Sequence, residues 1–300
     1  MALSHRICTG LPHRALSKLL AELAPAWMAQ QESRLADQRG RPRLRAAGAG
    51  PNHELVFVDR VIATLVILRF QLPHAALALF YGVPRLTITR AVGQIRPLLA
   101  MRGFAVPGKP ELRLRTLADV VAYAAAEGIK LRLDGTDVQV RGPKAGKPGR
   151  RAFVSGKKKQ HTKKPTVISD GAGRLLWAAA IRPGRRHDVT AVRSEGIEEQ
   201  LRRYPQVQAE VDSGYQGLAC DFPAQVSAPP KRPGHHALPQ ELTVWEHQRK
   251  AQSSQRICVE HAIAEPKQWR SLQRYIGRRE YFDEIFLAIA GLVSDRTALR

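Results

Sequence analysis

A change of hydrophobic pattern partway along the 300 residues constrains the fold of this chain more than any other feature. Up to Leu99 the apolar residues recur mainly at helical spacing, whereas short strand-like runs alternate with helical ones after the Gly- and Pro-containing segment from Gly103 to Lys109. Strands that interleave with helices indicate an α/β domain. We therefore expect an all-helical region at 1–108 and a mixed α/β domain at 109–300.

The first region contains two helical stretches separated by a linker. Residues 14–38 have helical spacing, and the Arg-, Gly- and Pro-rich stretch from Arg39 to Pro51 is predicted to be a linker or an exposed loop. The helical pattern resumes at His53 and continues to Leu99.

Within this second stretch, the segment from Leu72 to Leu99 has the pattern of a helix-turn-helix. Gly82 permits a tight turn, and Pro84 suits the opening of the second helix, where its missing N–H costs nothing. An ordinary helical hairpin fits the same pattern. In the DNA-binding interpretation, the side chains that would meet a major groove lie at the start of the second helix. They are Arg85, Thr87, Thr89 and Arg90.

The second region alternates between strand-like and helical runs. The strand-like runs are Leu131–Val140, Pro165–Ser169, Arg174–Ile181 and Val207–Val211, and the helical ones are Asp188–Arg203 and Glu241–Gln273. We expect them to form a mixed sheet flanked by helices.

The charge of the chain predicts a polyanionic partner. Lys and Arg total 48 against 26 Asp and Glu, which gives a net charge of +22. Such a field favours nucleic acid of any sequence. A membrane partner is not expected, because the most apolar stretch, Val56 to Tyr81, is interrupted by charged residues. The N-terminus lacks the apolar block of a secretory signal, so we expect a cytoplasmic protein.

The charge is most concentrated between Arg141 and Lys164, where there are ten Lys or Arg residues and no acid. A run of one sign repels itself unless a counter-charge arrives, which favours phosphate contact over a merely solvated loop. The lysines that we expect to bind DNA are Lys157, Lys158, Lys159, Lys163 and Lys164. The three cysteines, Cys8, Cys220 and Cys258, are too scattered for a zinc site and are predicted to be packing residues.

Two aspartates end strand-like runs and are candidate metal ligands. Asp134 follows Leu131 and Leu133 in alternation, and Asp212 ends the run Val207–Val211 just before a Ser-Gly turn. The alternatives are an Asp-Gly hairpin turn at Asp134 and ordinary turn or N-cap chemistry at Asp212. Asp137 is a nearby rival that lies past the glycine, and Asp170 has the pattern of a plain hairpin turn.

The third candidate is Glu260, which shares a helical face with Arg256 and Lys267. A solvated, salt-bridged face would give the same stripe. Each signal is weak alone, but the order Asp, Asp, Glu on strand, strand and helix is that of a ribonuclease-H-like nuclease core. In such a core, carboxylates hold two divalent metal ions roughly 3.5–4 Å apart, which stabilise the attacking and leaving oxygens of a phosphodiester.

These motifs resemble the DDE transposases of bacterial insertion sequences, in particular the insertion-sequence-five-like group. LDGTDVQV resembles the first-Asp strand, VDSGYQG the second-Asp motif, and the spacing of Arg256, Glu260 and Lys267 the Glu-helix signature. GRRHDVTAV, with His187 and Asp188, is a further point of likeness, although Asp188 could simply cap a helix. The resemblance covers nearly the whole chain.

The resemblance implies a ribonuclease-H-like fold and two Mg²⁺ or Mn²⁺ ions bound by Asp134, Asp212 and Glu260. It further implies binding of terminal inverted repeats in double-stranded DNA, strand cleavage, and transfer of the freed 3′-hydroxyl to target DNA. Arg256 and Lys267 would contact phosphate or steady the glutamate. Pairing of two element ends makes a homodimer or a larger assembly the expected form on DNA.

The sequence departs from the family pattern at two positions. Related transposases often carry a Tyr three residues before the signature Arg, where this chain has Ser253. Pro266 is predicted to kink the helix just ahead of Lys267, because it removes a backbone hydrogen bond.

Two other functions fit part of the pattern. A DNA-binding protein with a decayed or recruited nuclease core would bind without cleaving, but it would have no reason to keep all three acids. A general RNA-binding protein predicts aromatic side chains among the basic residues. Only Phe153 lies in the basic run, which disfavours RNA binding.

Overall fold

The computed structural model describes residues 2–40, 54–186, 190, 195–234 and 236–298. It divides into two compact units. The first comprises Met1–Met101 together with Trp269–Ser271, and the second comprises Arg102–Gln268 together with Leu272–Arg300. The division falls a few residues before the predicted boundary, and three residues from the predicted second domain join the first unit.

The first unit is helical. Its helices are α1 (Arg6–Thr9), α2 (His13–Arg39), α3 (Phe57–Phe70), α4 (His74–Tyr81) and α5 (Arg85–Met101). Helix α3 supplies the centre of the core, because its residues from Arg60 to Leu68 are all buried and apolar side chains predominate among them. Of the predicted linker, residues 41–51 lie outside the described ranges.

The helix pair α4–α5 forms as the pattern predicts. Gly82 ends α4 with φ +63°, a left-handed conformation that favours glycine, and its N–H donates to the carbonyls of Ala78 and Leu79. Pro84 directly precedes α5. Leu77 and Ile88 are buried, whereas Leu79 and Phe80 are exposed.

The second unit contains a two-stranded hairpin and a seven-stranded sheet. The hairpin pairs β1 (Phe104–Val106) with β2 (Lys109–Leu114). The sheet consists of β3 (Leu131–Gly135), β4 (Val138–Val140), β5 (Thr162–Ser169), β6 (Leu175–Pro183), β7 (Ala209–Val211), β8 (Val226–Ser227) and β9 (Arg274–Tyr275).

The centre of this sheet has the strand order β6-β5-β3-β7-β8. Strands β6, β5 and β3 pair antiparallel, whereas β3, β7 and β8 pair parallel. Strands β4 and β9 extend the sheet beside the first half of β5, where β4 pairs antiparallel with β5 and parallel with β9. The sheet is therefore mixed, as predicted.

Within the described part of this unit, six helices accompany the sheet strands along the chain. They are α6 (Leu117–Glu127), α7 (Ile197–Arg203), α8 (Gln216–Asp221), α9 (Pro239–Ala264), α10 (Arg270–Gln273) and α11 (Phe282–Thr297). Helix α6 begins at a capping box, in which Thr116 and Asp119 satisfy each other's backbone N–H groups. Helix α11 is mostly buried and packs against β1 and β6.

The structure corrects several element boundaries. The run predicted from Leu131 to Val140 breaks into β3 and β4, and the helix predicted from Glu241 to Gln273 ends at Ala264. A 3-10 turn follows over Pro266–Gln268, because proline cannot donate the next helical hydrogen bond. Within the helix predicted at 188–203, the described helical residues are Thr190 and Ile197–Arg203.

Two other findings concern the surface. All three cysteines are unpaired, and Cys220 is exposed, so its predicted packing role is wrong. Across the described ranges, no helix combines the length and the apolar composition needed to span a bilayer.

Glu195 gives the stability of the second unit a predictable dependence on pH. Burial raises the pKa of Glu195 to about 7, against the opposing effects of a hydrogen bond from Thr166 (3.1 Å) and the charge of Arg182. Between pH 4.5 and about 7 the folded chain thus keeps a proton on Glu195 that the unfolded chain releases, because the ordinary pKa of this carboxyl group is 4.5. We therefore expect stability to fall as the pH rises from about 4.5 to about 7 and to level off above that.

Replacing this carboxyl by an amide tests the effect. At pH 8, Glu195→Gln should raise the free energy of unfolding by about 1–3 kcal/mol, measured by urea denaturation. The exposed Glu199→Gln serves as the control. A Glu195→Gln variant with the same pH profile as the unmodified chain would contradict the assignment.

Candidate active site

Asp134 and Asp212 lie side by side at the ends of two neighbouring parallel strands. Strands β3 and β7 pair with Leu133 opposite Val211, and the next residue along each strand is the aspartate. Because parallel strands in register present equivalent side chains on the same face, the two carboxyl groups lie at one edge of the sheet. Both aspartates are half-buried.

Local hydrogen bonds orient each carboxylate. Asp134 Oδ1 accepts from the backbone N–H of Gly135 at 2.7 Å. Asp212 caps the 3-10 turn that follows it, and its Oδ1 accepts from both the backbone N–H and the hydroxyl of Ser213. The cap predicted as an alternative for Asp212 is therefore present. No hairpin forms at Asp134, since β3 pairs with β5 and β7 and not with β4.

A buried ion pair joins the same two strands two residues before the aspartates. Arg132 and Glu210 are direct register partners, and Arg132 Nε donates to Glu210 at 2.8 Å. Lys130 Nζ donates to the other oxygen of Glu210 at 2.7 Å. Burial acts to raise the pKa of Glu210, but these two cations outweigh it, so the net pKa lies below the ordinary value. Glu210 is therefore a charged structural residue.

The turn between β5 and β6 connects this pair of strands to helix α9. Asp170 is buried and accepts from the backbone N–H groups of Ala172 (2.9 Å) and Arg174 (2.8 Å), as its predicted turn role requires. Arg132 Nη1 donates to the carbonyl of Gly171 in the same turn. Gly173 has φ +75°, and a Cβ there would lie 2.6 Å from the backbone oxygen of Cys258 in α9.

Glu260 is carried on α9, two residues beyond this contact. Its side chain is exposed and lines a cleft of about 330 Å³ that Asp212 also lines. Asp134 adjoins Asp212 through the strand register, so the three predicted acids belong to one region of the second unit. Within the described ranges, however, no three Asp, Glu, His or Cys side chains form a ready-made metal-binding group.

Lys267 interacts electrostatically with the first aspartate. It lies in the 3-10 turn after α9, and burial lowers its pKa. The charge of Lys158 lowers the pKa further, while Asp134 and Asp137 act in the opposite sense. The turn at Pro266 thus takes Lys267 off the helix of Glu260, to a position where its charge interacts with that of Asp134.

Asp137 anchors a lysine-rich hairpin next to this site. Its Oδ1 accepts from the Thr162 hydroxyl at 2.8 Å, its Oδ2 accepts from the Ser155 hydroxyl at 3.1 Å, and its backbone carbonyl accepts from Lys158 Nζ at 3.0 Å. Val154 and His161 form a β-bridge at the base of the hairpin. Both carboxylate oxygens thus accept a hydroxyl hydrogen bond, which makes Asp137 the structural anchor of this hairpin.

The predicted DNA-contacting residues differ in their exposure. Lys157, Lys158 and Lys159 are exposed on the hairpin, and Lys164 is half-buried. Lys163 is buried and forms an ion pair with Asp283, which contradicts its expected role as a phosphate contact.

In the first unit, most of the residues predicted to read DNA are accessible. Arg85, Thr89 and Arg90 are exposed. Thr87 is half-buried, and its hydroxyl donates to Glu54 at 3.4 Å.

Several predicted site residues fall outside the described positions. His187 and Asp188 are among them, and so are the side chains of Ser253 and Arg256 within α9.

Sequence reasoning missed three residues that line the same cleft. Trp245, Arg249 and Gln252 lie on α9 at intervals of four and three residues, and Glu260 follows on the same helical face. The spacing of these residues could have been noticed in the sequence, but nothing in the sequence shows that Pro229 and Pro230 line the same cleft.

Comparison with known proteins identifies the class of enzyme. Residues 133–294, more than half of the chain, match the family described as DDE superfamily endonuclease. The chain belongs to this family, which confirms the class of enzyme that the motifs predict.

The chain is also similar over most of its length to individual transposases. It is 24% identical over 253 residues to a probable transposase for insertion sequence element IS702 of Microchaete diplosiphon, covering 84% of each chain. Among solved structures, it is similar to the Mos1 transposase paired-end complex with left transposon end, at 10% identity and a TM-score of 0.21 over 81% of this chain and 85% of that one. It is likewise similar to the Mos1 strand transfer complex, at 11% identity and a TM-score of 0.20, covering 81% and 83%.

Gly173 offers a direct test of how α9 is held. Gly173→Ala should lower the free energy of unfolding by about 1–3 kcal/mol, because alanine is strained at this φ and its Cβ meets the Cys258 backbone. Urea denaturation measures the change.

Gly171→Ala in the same turn is the matched control. Its φ is not in the left-handed region, and a Cβ there would approach only Arg132, at 3.6 Å. Equal destabilisation by both substitutions would show that the contact with α9 is not the cause.

Proposed function

We propose that this chain is the transposase of an insertion sequence, which binds the terminal inverted repeats of the element and cuts and rejoins DNA strands. One observation carries the proposal: Asp134 and Asp212 end adjacent parallel strands in register, and Glu260 lines the same cleft as Asp212. Family membership supplies the class of reaction. The central strand order, three antiparallel strands followed by two parallel ones, supports a ribonuclease-H-like core.

The chemistry of the donor set fits Mg²⁺ or Mn²⁺. These ions prefer carboxylate oxygens, and no cysteine is among the described residues that line the cleft. Asp134, Asp212 and Glu260 would hold the metal ions. When bound, the metals would activate the attacking oxygen and stabilise the leaving one.

The remaining site residues suit the handling of phosphate. Lys267 is a cation whose charge interacts with that of Asp134, and it would contact the DNA backbone there. The hairpin anchored by Asp137 adds three exposed cations, Lys157, Lys158 and Lys159. Together they would neutralise the strand being cut and keep its backbone at the acids.

A separate surface is proposed to read the element ends. In the first unit, Arg85, Thr89 and Arg90 are exposed at the start of α5, as expected of a recognition helix in a major groove. Because an element has two ends, a homodimer or a larger assembly would bring them together.

The three acids can be tested one at a time. Asp134→Asn, Asp212→Asn and Glu260→Gln should each slow metal-dependent cleavage of end-containing DNA by more than about 100-fold, which exceeds the usual cost of losing an outer-shell partner. Binding of the same DNA should persist, because the phosphate-contacting cations remain. Gel-based cleavage and fluorescence anisotropy give the two readouts.

The exposed Glu199→Gln serves as the control for loss of a carboxylate. A variant that cuts at the rate of the unmodified chain would remove that residue from the site. An unmodified chain that binds element ends but does not cut them with Mg²⁺ or Mn²⁺ would favour the alternative, a DNA-binding protein with a decayed nuclease core.

The lysine hairpin predicts a change in salt dependence. Replacing Lys157, Lys158 and Lys159 by Gln should reduce the slope of log affinity against log salt by about one for each phosphate that is no longer neutralised. Asp137→Asn alone should reduce the slope by less than the triple substitution, because it loosens the anchor of the hairpin. Added to the triple variant, it should change the slope little, because the three lysines are already absent. An unchanged slope in the triple variant would mean that the run is only a solvated loop.

The control is Lys109→Gln, which removes one charge from an exposed lysine paired with Glu127.

A further inference from the structure

The cleft beside Asp212 and Glu260 contains features that metal binding does not explain. Trp245 lies half-buried on α9, and its indole N–H donates to the carbonyl of Pro230 at 3.0 Å. This hydrogen bond fixes the edge of the ring, while Pro229 and Pro230 supply an apolar wall to the same cleft. An aromatic ring that is already held in place loses little conformational freedom when a flat ligand stacks on it.

Two guanidinium groups lie over the ring, so an incoming base would stack on Trp245 by moving one of them aside. Arg249 Cζ lies 5.3 Å from the centroid of Trp245, and Arg232 Cζ lies 5.8 Å from it. Arg249 also lines the cleft. An aromatic face beside cationic side chains is the combination that binds unpaired nucleotides, because the base stacks while the cations attract the phosphates.

The cleft also contains an amide without a partner. Within the part of the chain that the structure describes, Gln252 Oε1 is buried and accepts no hydrogen bond. A buried acceptor without a donor is costly, and a ligand that supplies an N–H would remove that cost. The exocyclic amino and ring N–H groups of nucleobases are such donors, and an Asn or Gln amide can pair with a base edge.

We propose that this cleft binds a single unpaired nucleobase of the DNA strand, stacked on Trp245 and hydrogen-bonded to Gln252. Its volume of about 330 Å³ lies at the small end of ligand sites, roughly 300–1,000 Å³, and suits one base but not a base pair. The inference deepens the proposed function, since Asp212 and Glu260 line the same cleft. The captured base would belong to a nucleotide close to the phosphate that is cut, and unstacking it would fix that strand against the carboxylates.

The test uses the full chain and two short single-stranded DNA oligonucleotides in the presence of EDTA. One carries a single 2-aminopurine, and the other has an abasic residue at the same position. The unmodified chain should bind the first more tightly and quench its fluorescence. Trp245→Ala should weaken binding of the 2-aminopurine oligonucleotide by on the order of 5- to 150-fold, as expected for the loss of one stacked base. It should leave the abasic oligonucleotide unaffected, and Trp245→Phe should retain most of the preference.

Matched variants separate stacking from general charge. Arg249→Gln should reduce the preference for the base, whereas Arg203→Gln, which removes an equal charge from beside Tyr204, should not. Equal weakening on both oligonucleotides for Trp245→Ala, or no preference for the base in the unmodified chain, would overturn the proposal. If Trp245→Ala does not fold, the unmodified chain and Trp245→Phe still decide the question.

The partner and the proposed function are tested separately. An RNA oligonucleotide of the same sequence that showed a larger base dependence than the DNA would overturn the assignment to DNA. Because binding is measured without metal, a failure of strand cleavage leaves the base preference intact, and a missing base preference leaves cleavage intact.

Discussion

The candidate active site depends on the parallel pairing of β3 with β7. A slip of one residue would turn Asp134 and Asp212 to opposite faces of the sheet. The ion pair between Arg132 and Glu210 opposes such a slip, because the two residues are register partners and a shift would leave a buried carboxylate without its counter-charge. An interaction that adds little to overall stability can therefore select the one register in which the two aspartates meet.

The large positive charge is divided between structural and accessible groups. Some cations are used inside the second unit, as where Arg102 pairs with Asp295 and Lys163 pairs with Asp283. Others are held outward at defined positions, and the hairpin anchored by Asp137 is the clearest case. The net charge of the chain is therefore larger than the positive charge that a partner can reach. The accessible charge is concentrated where exposed cations lie on the anchored hairpin.

Local patterns predicted the parts of the site that depend on local structure. Alternation along a strand is a property of adjacent residues, so the positions of Asp134 and Asp212 at strand ends followed from their neighbours. Lys163 could not be assigned this way, because its partner Asp283 is 120 residues away. Asp137 was ambiguous for the same reason, since its hydroxyl partners come from the far side of the basic loop.

The cleft that Trp245 lines could not be predicted from the sequence either. Helical spacing connects Trp245 to Glu260, but the walls of a cleft come from another segment of the chain, here Pro229 and Pro230. The end of helix α9, by contrast, could be predicted from a proline. Pro266 ends the helix, as its chemistry requires, and the resulting turn gives Lys267 a position that an uninterrupted helix would not.

The close approach of the β5–β6 turn to α9 involves the backbone oxygen of Cys258 and not its thiol. The contact therefore requires glycine at position 173, whereas the side chain at position 258 takes no part in it. A version of the chain in which serine replaces Cys8, Cys220 and Cys258 should keep this packing. Such a version would accept a single new cysteine as an attachment point for a spectroscopic label, so that movements of the Glu260 helix could be followed directly.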